Sequence, residues 1–350
     1  EKSNYNAQIS ASIKLWDHGK RRTALNQAKA NERSTQSDYN RTQQDLIFNV
    51  TDAYYNLLQS EKLIDVYKKL LEISKSNVEK TKMFLEKGSA TPADLASAKV
   101  QQASDELTLI NAQNDFKLAK ARLANIMGLD NGTLIEVQDD PDYEVYMKSS
   151  LIKHEFSLED SIAKAVQNRP ELISLRARLD SLEWSLKQAR LDRFPVLSAD
   201  YNYNLLFGGG TPPNSNFDNS WNAVARLTFP IFDGGVSKHR QQKAEISIEQ
   251  IKESIKDREQ SIALEVQQQY FNFERAMKSL DIAKDQVENA TLSLNVTQGR
   301  YEQGMTIFID VLSAQARYSQ AVTNQVKAFY NYKIAEKSLQ KAIGDLRVSE

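Results

Sequence analysis

Apolar and polar residues alternate one for one at the start of the chain. Ala7, Ile9, Ala11, Ile13 and Leu15 are apolar, and Asn6, Gln8, Ser10, Ser12 and Lys14 between them are polar. A period of two belongs to a strand with two unlike faces. It runs to Trp16 and stops at Asp17-His18-Gly19. From Lys20 to about Lys87 there is no proline, and at about 1.5 Å per residue this predicts one helix roughly 100 Å long. Its apolar positions recur every seven residues as Val50, Leu57, Ile64, Leu71, Val78 and Leu85. A sustained repeat of seven implies left-handed supercoiling against neighbouring helices.

The same pattern returns later. The segment Asp17 to Asp130, moved forward by 216 positions without a gap, falls on Asp233 to Leu346. Tyr54 then meets Tyr270, Gly88 meets Gly304, Asp94 meets Asp310 and Gly128 meets Gly344. The second row reads Val266, Phe273, Leu280, Val287, Leu294 and Tyr301. Upstream, Ile248, Ile255 and Ile262 step by seven in another phase, so the helix is expected to change packing partner between Ile262 and Val266. Such an ungapped duplication points to an internal two-fold repeat.

After Gly88, Thr91, Pro92 and Asp94 spell a capping box with proline at the first helical position. The returning helix is expected to reach about Met127, with Leu95, Leu109, Phe116 and Leu123 on one row. It would cover roughly half of its long partner, and a helix opened by Pro170 and running to Asp192 would cover the other half. Leu129 to Arg169 reads as irregular, with an acidic loop Asp139-Asp140-Pro141-Asp142 and a short helix capped by Ser157. Alternation resumes at Leu197, Ala199, Tyr201, Tyr203 and Leu205 and again at Trp221, Ala223, Ala225, Leu227 and Phe229, across a turn-rich loop from Gly208 to Ser220. Strands of about 9 to 11 residues with one apolar face have the length and pattern of tilted bilayer-crossing strands. The expected division is a first repeat over 1–130, an equatorial segment over 131–169 and a second repeat over 170–346.

Composition narrows the function. Net charge is -1, so no global field recruits nucleic acid. Cysteine is absent, which removes disulfides, thiolate metal sites and a cysteine nucleophile. No run of about 20 apolar residues would make a spanning helix. His18, His154 and His239 are scattered, and the glycines at 208 to 210 precede Thr211-Pro212-Pro213 instead of a helix. The acidic residues near Asp139 read as a solvated loop before a calcium site. Neither an enzyme nor a cofactor or metal is indicated. No secretory leader is visible, which suits a cytosolic, mature or trimmed chain.

Long heptad helices alone would permit a soluble structural coiled coil or a periplasmic adaptor protein. The strands favour a membrane tube, because a filament needs no strands with an apolar outer face. One copy cannot close a barrel, so self-association is expected.

The FPIFDGG run from Phe229 to Gly235, the YEQGMTIFIDVLSAQ turn from Tyr301 to Gln315 and the NYKIAEKSLQKAIG ending, with the duplication, resemble the TolC family of outer-membrane efflux proteins over essentially the whole chain. The resemblance implies a mainly α fold with a β-barrel portion: long α-helical hairpins forming an α-barrel tunnel, and strands of a trimeric barrel shared in the outer membrane of a Gram-negative bacterium. It implies a homotrimer that meets outer-membrane lipid, a periplasmic adaptor and an inner-membrane pump, with no nucleic acid partner. The duct would serve efflux or type I secretion and open at its periplasmic tip. Only three strands are read, so the family's leading helix and first strand are expected before Glu1, and a tail is expected after Gly344.

The resemblance places the gate at the two turns. Asp310 would line the constriction, Tyr301 would take part in a hydrogen-bonded gate, and Asp94 would be the equivalent carboxylate on the first turn. Three copies of such a carboxylate would form a ring attractive to cations. Asp94 also reads simply as part of its capping box, whereas Ile307 replaces Thr91 in the second copy and leaves Asp310 without that explanation. Tyr301 equally continues the apolar row. Gly88, Ser89, Gly304, Met305 and Thr306 would form the adaptor-contacting turns. Well-known family members carry arginine where Thr306 stands and a second acid where Ser313 stands, which implies different wiring of the gate here.

Overall fold

The computed structural model describes residues 4–130, 141–148, 156–208 and 217–346. The loop expected around the glycines at 209 and 210, Asp139, Asp140, His154 and the end beyond Leu346 lie outside them. The elements run β1 (Asn4–Trp16), α1 (Lys20–Glu86), α2 (Pro92–Ile126), α3 (Pro141–Lys148), α4 (Leu158–Asn168), α5 (Pro170–Leu191), β2 (Val196–Gly208), β3 (Phe217–Thr228), α6 (Val236–Glu302) and α7 (Phe308–Ile343). Helices α1 and α6 are each 67 residues long, and both begin and end at the same 216-residue offset. Among the described residues, no helix is long and apolar enough to cross a membrane.

The chain divides into two compact units: Glu1–Tyr39 with Pro170–Glu259, and Asn40–Arg169 with Gln260–Glu350. The first holds an antiparallel sheet of order β1-β2-β3. Its register aligns like with like. Across the three strands, Ile13, Ala199 and Ala225 share one row, Ala11, Tyr201 and Ala223 another, and Ile9, Tyr203 and Trp221 a third. The alternate rows carry Ser10, Asn202 and Asn222, then Lys14, Ser198 and Arg226. One face is therefore apolar and the other mostly polar, with Val224 beside Asp200, and a slip of one residue would exchange them. The register shifts between Lys14 and Trp16, a bulge after which Trp16 pairs with Leu197. The strands hold 13, 13 and 12 residues, longer than the 9 to 11 expected. Backbone pairing continues past the last alternating side chain, so side-chain period understates strand length.

In the same unit α5 packs through small residues. Ser174, Ala177 and Ser181 are buried, and the Ser174 and Ser34 hydroxyls lie 3.0 Å apart. Ion pairs flank this seam. Arg33 reaches Asp180 at 2.8 Å and Arg178 reaches Asp38 at 2.9 Å, while on the α6 side Arg176 meets Glu259 at 3.1 Å and Arg258 meets Glu171 at 3.1 Å. Asp192 binds both Lys20 and Arg240, at 3.2 and 3.3 Å. The exposed pairs among these contribute about 0–1 kcal/mol each, so they orient the helices more than they stabilise them; Glu171 is buried and its pair with Arg258 is not of that kind.

Both long helices begin on the same cap. Asp17 accepts from the backbone of Gly19 and Arg21, and Asp233 accepts from that of Gly235 and Ser237. Both carboxylates are held below their ordinary value. For Asp17, burial alone would raise it, but the Arg21 and Gly19 N–H groups and the Arg21 guanidinium together outweigh that. For Asp233, the Ser237 hydroxyl and N–H dominate.

The second unit carries the aromatic core. Phe329 and Tyr330 are fully enclosed among Leu58, Phe273, Leu280 and Leu339. No member of the seven-residue rows from Val50 to Leu85 or from Val266 to Tyr301 is exposed. The unit boundary after Glu259 falls beside the change of phase. Upstream, α6 pairs with α5 through Glu245 and Arg190; downstream, Phe273 stacks with Tyr332 of α7. The segment read as irregular contains α3 as well as α4. Pro141 and Asp142 are not loop but the first turn of α3, where proline and negative charge are both favoured. Tyr143 and Tyr146 of α3 lie 5.1 and 5.2 Å from the Phe329 ring, and burial pushes the Tyr143 phenol up to about 12. Ser157 occupies the N-cap of α4 but does not cap it; its hydroxyl goes to Glu159 instead.

Two outcomes follow. Phe329→Ala should destabilise the protein by ~3–5 kcal/mol, read as a lower thermal midpoint in detergent with the helical circular dichroism retained at low temperature. The lowered Asp17 carboxyl contributes stability that is complete above the ordinary value of 3.8 and is lost as pH falls through the depressed folded value. Asp17→Asn should therefore differ from wild type in thermal midpoint at neutral pH and converge with it in acid; a constant difference at all pH values would contradict this.

Candidate functional site

Both helical turns are built alike. Gly88 N–H donates to Leu85 O at 2.9 Å and Ser89 N–H to Phe84 O at 2.8 Å, while Gly304 N–H donates to Tyr301 O at 3.0 Å and Met305 N–H to Arg300 O at 2.8 Å. This closes the last carbonyls of each long helix and requires the left-handed conformation at the glycine, with φ of 74° and 72°. A Cβ at either glycine would meet nothing within 4 Å, so the backbone angle, not crowding, selects glycine.

An open cleft of about 730 Å³ lies between the turns. Asp94, Tyr301, Gly88, Ser89, Gly304 and Thr306 line it, whereas Asp310 and Met305 do not. At the cleft, Glu302 is paired with Lys80 at 2.7 Å. Asp94 is committed locally: its carboxylate accepts from Thr91 N–H at 2.9 Å and from the Thr91 hydroxyl at 2.8 Å, and its own N–H donates to Thr91 Oγ1 at 3.2 Å. Asp310 lacks this box, since Ile307 offers no side-chain cap. It is not without a local partner, however, because the Thr306 hydroxyl donates to its Oδ2. Where the first turn has a capping Thr91 the second has Ile307, and Thr306 one residue earlier serves the Asp310 carboxylate.

Tyr301 belongs to the packing at the turn. Its ring meets Phe84 edge-on and Phe308 at a tilt, each at 5.5 Å, over the cluster of Val78, Ala98, Phe308 and Val311. Burial pushes its phenol up, the Thr81 hydroxyl works against this and the Asp94 charge adds to it. The Tyr301 and Thr81 hydroxyls are enclosed, and neither makes a hydrogen bond of ordinary geometry among the described residues.

A second feature escaped the sequence reading. Gln315, 2% exposed, donates to Ser74 Oγ at 2.9 Å and Asp105 Oδ2 at 3.4 Å, and accepts from Asn77 Nδ2 at 2.8 Å. Ser74, 1% exposed, donates to Asp105 Oδ2, with Leu70 O as a second acceptor at 3.0 Å, and Gln101 donates to Asp105 Oδ1 at 2.9 Å. This polar layer joins α7, α1 and α2. Its sequence signal was Ser74 and Thr81, polar residues three positions after Leu71 and Val78, on the row that should complete the apolar seam.

Helical hairpins ending in a paired turn, with an antiparallel sheet whose apolar face is exposed, define the class of outer-membrane channel subunits. The chain belongs to the outer membrane efflux protein family, whose model matches residues 1–129 and 161–345. It is 24% identical over 328 residues to outer membrane protein TolC of Vibrio cholerae, covering 92% of this chain and 73% of that protein. It is 21% identical to the alkaline protease secretion protein AprF of Pseudomonas aeruginosa, covering 83% and 59%. The fold also resembles the crystal structure of CusC, with a TM-score of 0.80, 18% identity and coverage of 97% and 78%.

Asp94 supplies a test of its commitment. Thr91→Ala should cost about 1 kcal/mol of local stability, seen as faster amide hydrogen exchange in the first turn of α2. Ile307→Thr should slow exchange in the first turn of α7 by restoring the missing box.

Proposed function

We propose that this protein is the outer-membrane exit duct of a tripartite efflux or type I secretion system, a passive conduit without catalysis. The carrying observation is the registered apolar face of the sheet, on which Ile9, Ile13, Trp221 and Leu227 are each more than half exposed. A face of that kind is stable against hydrocarbon when the strands close into a barrel and every backbone group is paired. Three copies would share the barrel, and the hairpins would form the tunnel.

The two repeats, 1–130 and 170–346 about an equatorial segment at 131–169, supply two similar hairpins to each wall segment. Further support for self-association comes from Val100, Leu107 and Leu118 of α2 and Leu292 and Val296 of α6, all large and exposed. The turns at Gly88, Ser89, Gly304, Met305 and Thr306 are the proposed contacts for the adaptor, which connects to an inner-membrane pump. Asp310 is the proposed constriction carboxylate, because it is exposed and held by a single hydroxyl. Asp94 is secondary to it, and Tyr301 positions the turn by packing. Export of a polypeptide is a second cargo class, favoured by the likeness to a protease secretion protein.

Single-channel recording of the full-length protein in planar bilayers tests this. Wild type should form a stable, cation-selective pore, and Asp310→Ala should reduce that selectivity severalfold. Absence of any pore would refute the duct; an unchanged selectivity would remove Asp310 from the constriction and leave the duct standing.

A further inference from the structure

The polar layer lies about 20 Å from the turns, counting roughly 1.5 Å per residue from Gly88 to Ser74. Its Ser74 and Asp105 members belong to the first hairpin. At the 216-residue offset, Ser74 corresponds to Ala290 and Asp105 to Ala321, so the second hairpin carries alanine where the first carries these acceptors. Helix α7 packs through apolar residues on both α6 and the first hairpin, and at this level hydrogen bonds join it to the first hairpin as well.

These two kinds of contact differ in what they tolerate. An apolar seam accepts neighbouring registers, because one aliphatic side chain replaces another. A buried polar layer accepts one, because displacement leaves its donors and acceptors unpaired. We propose that Gln315 is a positioning residue that holds α7 in a single register against α1 and α2, so that movement at the α6–α7 turn must break its bonds to Asn77, Ser74 and Asp105. The inference rests on the duct reading only in taking that turn as the gate.

Parting the hairpins at Gln315 would break satisfied bonds, among them a charge-assisted bond to Asp105.

The test transfers the second hairpin's chemistry to the first. Full-length protein carrying Ser74→Ala, Asp105→Ala and Gln315→Leu is compared with wild type for planar-bilayer conductance and for amide hydrogen exchange over residues 308–320. Apolar replacement of a buried polar group is often neutral or stabilising, so the thermal midpoint should stay within a few degrees or rise. Basal conductance should increase at least threefold, and exchange should accelerate at least tenfold. Ser74→Thr, which keeps the hydroxyl, should match wild type in both. Wild-type conductance and exchange in the triple variant would overturn the proposal, and so would a Ser74→Thr effect equal to that of the triple variant, which would indicate packing alone. If the triple variant fails to fold, Asp105→Ala alone, at a half-buried position, is read by the same exchange criterion. Absence of a pore in wild type would refute the duct, and the exchange comparison would still decide the role of Gln315.

Discussion

A helix of 67 residues stays folded only if its apolar row is covered. That constraint governs most of this protein. Fully burying a large aliphatic or aromatic side chain contributes about 1.5–3 kcal/mol, several times an exposed ion pair. Val266, Phe273, Leu280 and Leu294 on α6 and Leu57 on α1 are accordingly buried. Helix α7 supplies much of the cover, which explains why it is the helix with the most buried residues, from Phe308 to Ile343.

The unit formed with α5 uses different chemistry. There the seam is made by alanine and serine, which allow close approach, and charged pairs such as Arg178 with Asp38 set the angle at its edges. Among the described residues, Ile9, Ile13, Trp221 and Leu227 on the apolar face of this sheet are exposed. In water such a face is a liability; against lipid it is the ordinary outer surface of a barrel strand. The same alternation of residues therefore determines both the strand and the medium it requires.

At the turns, two carboxylates at equivalent positions have different neighbours. Asp94 is enclosed in a reciprocal cap, while Asp310 is exposed and meets one threonine hydroxyl. A carboxylate already bound by its own helix has little capacity left for a partner across an axis. In the proposed gate, capping would compete with gating for the same oxygen atoms, and Ile307 in place of a threonine leaves Asp310 freer of the cap than Asp94.

The long helices, the three strands, the half-length partners and the turns could be read from the sequence, because heptads, alternation, proline and glycine are local signals. The capping box at Thr91 and Asp94 was legible for the same reason. Other features depended on which surfaces meet. Helix α3 was obscured by its acidic flank until Tyr143 and Tyr146 found Phe329. Strand ends ran beyond the alternating side chains because backbone pairing continued there. Ser157 stood at a cap position and turned its hydroxyl to Glu159. Gln315 gave no local sign of its role, since its partners Ser74 and Asp105 are distant in sequence and come together only where three helices pack. Sequence period determined what each element is; burial by particular neighbours decided which polar groups bind one another.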